Sequence, residues 1–140
     1  MRRDRGWRSG LIAILLCLTG SCASGAEGGF RLVWPTPHSG WAEGKPPSQW
    51  LQHAGSGDPA SGGFGGVRSG GTRFHEGIDI RPVGRGRNGE ATDPVFAAMA
   101  GTVRHVVTSP GQSGYGRHVV IEHTDLAPAI YTLYAHLARV

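Results

Sequence analysis

Arg73-Phe74-His75-Glu76-Gly77-Ile78-Asp79-Ile80 decides how the rest of this sequence is read. The stretch has strand character, with His75, Gly77 and Asp79 on one face and Ile78 and Ile80 on the other. An imidazole and a carboxylate are both good zinc donors, and a glycine stands between them where a side chain would crowd a metal. In a straight strand their Cα atoms would lie about 13 Å apart, at about 3.3 Å per residue. Two donors about 2.1 Å from one zinc meet only if the backbone bends, and Gly77 permits a bend. A helix would bring positions four apart together more simply, but the glycine, two isoleucines and nearby Pro82 argue against one. Alone, H-x-x-x-D is equally the pattern of an ordinary strand-edge pair.

From Phe74 onward short apolar runs alternate with turns. Strands are expected at 78–81, 95–98, 102–107, 117–123 and 130–137, with turns at Ser109-Pro110-Gly111 and from Asp125 to Pro128. Upstream, Arg31 to Trp34 reads as a strand stopped by two prolines. His38 to Gly71 is mostly loop, with room for one helical turn within 48–54 and eight glycines between Gly55 and Gly71. Those glycines suit a flexible flap, a linker or a low-complexity connection. The pattern predicts an all-β chain built from hairpins, divided into 1–26, 27–63 and 64–140. Its last strand is apolar and lacks a following partner; such an edge is an aggregation risk, and the domain is read as incomplete at its C-terminus.

Three further stretches follow the first in order: Asp93-Pro94-Val95-Phe96-Ala97-Ala98 leading to Gly101-Thr102-Val103, Gly114-Tyr115-Gly116 before Val119 to His123, and Tyr131 to Leu137 with its Y-A-H-L. Together they resemble the lysostaphin/LytM-type zinc metallopeptidases, metallopeptidase family 23, over about Phe64 to Val140. The resemblance implies a lysostaphin-like antiparallel fold of the duplicated hybrid motif type. It also implies a Zn2+ cofactor, His75 and Asp79 as ligands, and cleavage of peptidoglycan peptides. His136 matches the family's non-ligand active-site histidine, which helps activate water or stabilise the oxyanion. The family's third ligand comes from a later H-x-H motif, and the sequence contains none. His105, His118 and His123 stay open as substitutes, although His123 matches a non-ligand strand position. The alternative is a non-catalytic peptidoglycan-binding or hydrolase-regulating module of the same fold.

Other residues invite weaker readings. On an extended strand His136 would share a face with Thr132 and Tyr134, opposite Leu133, Ala135 and Leu137. Glu76 suggests the base of an H-E-x-x-H zincin, but that motif needs a helix and a second histidine where Asp79 stands. Arg73 and Arg117 suit either an acidic wall peptide or plain solubility. Tyr115, between glycines, either lines a groove or plugs a hairpin. The Val95–Val107 hairpin also looks like a biotinyl or lipoyl carrier, but the single lysine, Lys45, lies far from its tip.

The start of the chain carries an address. Arg2, Arg3, Arg5 and Arg8 precede an apolar run, Leu11 to Leu18, and small residues from Ser21 to Ala26. This is a secretory signal, cleaved after Ala26, and the run is too short for a permanent span. Cys22 offers a rival lipid-anchor reading, with Thr19 where a leucine is usual. Either route leads to the periplasm or cell envelope. The first ten residues supply +3 of the formal +4. The sequence pI near 9.7 is therefore largely a property of the signal and gives no support for nucleic-acid binding. Cys17 and Cys22 both precede the cleavage point, so the mature chain has no thiol for a disulfide.

Overall fold

The computed structural model describes residues 31–54, 57–124 and 128–140. The signal segment and Cys22 lie outside the described residues. Strand dominates, as the all-β reading requires. A two-stranded antiparallel ribbon pairs β1 (Val67–Arg68) with β2 (Arg73–Phe74), and a three-stranded antiparallel sheet runs β3 (Thr102–Val107), β4 (His118–His123), β5 (Ile130–Tyr134). β-Branched residues fill β3 and β4, the composition that pleated strands favour. Helix α1 is a single turn, Pro47–Trp50; Pro47 opens it, where a missing N–H costs nothing.

β3 changes register once. Thr102 and Val103 pair with Glu122 and Ile121, but His105 pairs with Val120, which leaves Arg104 as the extra residue of a bulge. One face of the sheet carries Val119, Ile121, His123, Thr132 and Tyr134. Extended chain at 95–98 lies over it, and the Tyr134 hydroxyl accepts the Ala98 N–H at 2.7 Å. His123 is 1% exposed. Its Nδ1 donates to the Ala100 carbonyl at 2.8 Å and its Nε2 lies 2.9 Å from the Thr132 hydroxyl, so both ring nitrogens are spent inside the core.

The expected strand at 31–34 is extended and makes ladder-like bonds, Val33 N–H to Ala98 O and Phe96 N–H to Pro35 O, each 2.8 Å. It does not form a regular strand, because the prolines at 35 and 37 carry no N–H to continue the pairing. A tryptophan cluster anchors this segment, Trp34 stacked on Trp41 at 5.4 Å and edge-on to Trp50 at 5.8 Å. The strand expected at 78–81 reduces to one bridge, Leu51 with Ile80. Its backbone bonds go instead to neighbouring loops, and Pro82 ends the run.

β5 ends at Tyr134, short of the expected Leu137. His136 adopts a left-handed backbone, φ 56°, so the strict alternation expected beyond Tyr134 fails. Leu137 lines the same apolar hollow as Tyr134, Val119 and Ile121, and His136 does not continue the Thr132–Tyr134 face. The inward side is also the reverse of what polarity suggests: Thr132 and Tyr134 are half-buried, whereas Leu133 is exposed.

Candidate active site

His75 and Asp79 meet. The chain leaves β2 at Phe74 and bends at Gly77, which brings His75 Nε2 to 3.3 Å from Asp79 Oδ1. Gly77 has no left-handed backbone, and a side chain built there would touch nothing. The bend is imposed by anchors on both sides. His75 N–H donates to Gly66 O at 2.9 Å and its carbonyl accepts from Gly65 N–H at 2.8 Å. Asp79 N–H donates to Gly62 O at 2.8 Å, and its carbonyl accepts from Gln52 N–H at 2.7 Å. The glycine-rich loop thus forms the backbone cradle of the motif.

The side chains are oriented as well. His75 Nδ1 donates to the Gly63 carbonyl at 3.0 Å, which leaves the Nε2 lone pair of the neutral ring facing Asp79. A backbone carbonyl on the far nitrogen is the arrangement that metal-ligating histidines use. Two donors sharing a tetrahedral ion at about 2.1 Å each stand about 3.4 Å apart, close to the observed 3.3 Å. The pair is an imidazole and a carboxylate, both half-shielded, and this donor set fits zinc. Asp79 Oδ2 is held on its other side by Arg68, whose guanidinium also donates twice to the Ser61 carbonyl, at 3.1 and 2.7 Å. Arg68 fixes the carboxylate and partly neutralises it.

His136 lies just beyond β5. Its N–H donates to the Tyr115 carbonyl at 2.9 Å, and Leu137 N–H donates to Arg117 O at 3.0 Å. Gly116, itself left-handed at φ 60°, lies against the His136 ring, where an added Cβ would be 3.7 Å from Nδ1. Tyr115 connects the two regions, because its hydroxyl donates to Glu76, the neighbour of His75. That bond, and secondarily burial, raises the Tyr115 hydroxyl above its usual range. The structure therefore brings His75 and Asp79 into contact and joins His136 to their loop through Tyr115.

Among the described residues no group of three His, Cys, Asp or Glu side chains could hold a metal. His123 is consumed by Ala100 and Thr132, while His105 and His118 pair with each other. Sequence reasoning left out Arg68, Ser61 and the Gly62–Gly66 cradle. Arg68 lies in a glycine-rich stretch with no periodicity, and a carbonyl cradle has no side-chain signature.

Residues 73–140 match the family model described as Peptidase family M23. This region belongs to peptidase family M23. The match begins at β2 and takes in the bent motif, the three-stranded sheet and His136. M23 is a family of peptidases that are generally zinc-dependent. The cradle loop and the tryptophan cluster lie upstream of the matched M23 region. Comparison with curated proteins and with solved structures gave no match.

Proposed function

We propose that this chain is a secreted zinc metalloendopeptidase of the M23 type, acting on cross-link or stem peptides of peptidoglycan in the periplasm or cell envelope. The observation that carries the reading is the His75–Asp79 pair, set at a metal-chelating separation with the outer nitrogen of His75 tied to a carbonyl. When bound, zinc supplies Lewis-acid polarisation of the scissile carbonyl and makes water a competent nucleophile near neutral pH. His75 and Asp79 hold the ion. Arg68 orients Asp79, and His136 moves protons or supports developing charge at the carbonyl oxygen. Cys22, if lipidated, would tether the protein to the membrane.

Two protein donors are fewer than the three of a usual catalytic zinc site, so zinc held by this pair alone should be bound weakly. Zinc measured by metal analysis after dialysis should fall by the equivalent held at this pair in His75→Ala and Asp79→Ala and stay unchanged in His136→Ala. Loss of zinc in His136→Ala would overturn the division between ligand and catalyst. A longer form carrying an H-x-H motif should degrade purified peptidoglycan in a chelator-sensitive way.

The second reading, a non-catalytic wall-binding or hydrolase-regulating module, draws on Arg68. Its guanidinium already balances Asp79 without an ion. Cosedimentation with peptidoglycan, with no zinc bound by a folded protein, would favour that module.

A further inference from the structure

His105 and His118 share a face of the sheet only because of the bulge. Before it, Val103 pairs with Ile121; after it, His105 pairs with Val120 and Val107 with His118. A regular ladder would set Arg104 opposite Val120 and turn His105 to the side of Ile121 and His123. The extra residue re-aims His105 to the opposite side, as bulges do. There it becomes the diagonal cross-strand neighbour of His118, with ring centroids 5.5 Å apart and planes tilted 41°.

The two rings differ in a useful way. His118 is 6% exposed, and its Nδ1 donates to the Gly116 carbonyl at 2.9 Å. The Tyr115 ring stands edge-on to it at 5.9 Å. The tautomer is thereby set, the Nε2 lone pair is left free, and the carbonyl partner again matches that of a metal-ligating histidine. His105 is exposed and can swing its ring to meet an ion. The nearby cation, Arg104, is occupied by Glu122, so it does not oppose a second positive charge.

We propose that His105 and His118 form a two-histidine site for a divalent transition-metal ion, separate from the His75–Asp79 pair. Imidazole nitrogens select Ni2+, Cu2+ and Zn2+ over hard cations, and water completes the coordination. Both donors already sit on paired strands, so little ordering opposes binding. An ion there clamps β3 to β4 at the bulge.

The test is Ni2+ titration of the full chain by calorimetry in a His75→Ala background, which removes the other candidate pair. One equivalent should still bind. Adding His105→Gln should weaken that binding at least tenfold. The exchange His105→Val with Val106→His keeps the histidine count but puts the ring on the opposite face, and it should weaken binding equally. His105 is exposed, so both variants should fold, which circular dichroism checks. If His75→Ala alone abolishes Ni2+ binding, or if the exchange leaves the isotherm unchanged, the site does not exist.

Discussion

Gly62→Ala tests whether the backbone cradle, rather than the motif itself, sets the His75–Asp79 geometry. A Cβ at Gly62 would lie 2.5 Å from the Gln52 carbonyl oxygen, 3.1 Å from its carbon and 3.3 Å from Leu51 Cβ. An ordinary contact begins near 3.4 Å, so the two segments must part by about 0.9 Å. Backbone lies on both sides, and no side-chain rotation relieves the overlap. The same segment bonds Asp79 N–H at 2.8 Å and His75 Nδ1 at 3.0 Å, and such a shift carries both past good hydrogen-bond length. Overpacking costs about 1–3 kcal/mol and a lost hydrogen bond about 1 kcal/mol. With both bonds lost, the expected total is about 3–5 kcal/mol in urea unfolding. Zinc affinity, read by competition with a chromogenic chelator, should fall about 10–100-fold, the usual effect of losing an outer-sphere partner. Gly77→Ala is the control, because its Cβ meets nothing and zinc affinity should hold. If Gly62→Ala loses stability yet binds zinc unchanged, the loop supports the fold without shaping the pair.

Tyr115→Phe should remove one late-ionising step from the ultraviolet absorbance titration of the tyrosines. The folded hydroxyl is raised above about 10 by Glu76, so its stabilising effect is whole below pH 10 and is lost as pH climbs through the raised value. The stability gap between wild type and Tyr115→Phe should therefore close only in strong alkali. His123→Ala should cost about 2–4 kcal/mol in chemical denaturation, from a buried ring and two hydrogen bonds, with zinc retention unchanged in whatever fraction stays folded. His136→Gly should exceed wild-type stability by about 1–2 kcal/mol, since left-handed backbone costs about that much for a residue with a Cβ, and His136→Val should fall below wild type because β-branching disfavours that backbone further.

Much of the sheet was legible in the sequence. β3 matches its apolar run residue for residue, and β4 begins one residue late. Hydrophobic alternation carries that information because a half-buried strand must repeat every second residue. The same rule failed at β5, where a single left-handed residue resets the alternation and sends Leu137 inward. It failed again at 78–81, whose backbone groups bond loop carbonyls and amides instead of a strand. The candidate pair was visible as H-x-x-x-D together with its need for a bend, and His75 does reach Asp79. What bends the chain was not visible. Gly62, Gly63 and Gly66 act through main-chain carbonyls, which any residue possesses, and Arg68 acts across eleven positions of sequence.

The left-handed turn at His136 also limits what can be added to the sheet. β5 is the outer strand of β3-β4-β5, and its edge offers backbone pairing only along Ile130–Tyr134, about 17 Å at about 3.4 Å per residue. A newcomer that follows this edge loses its template within two residues of Tyr134, so only a short strand can be accommodated in register. A brief, abruptly turned edge is one means by which sheets resist open-ended stacking, and here the residue that supplies it is the histidine carried in Y-A-H-L.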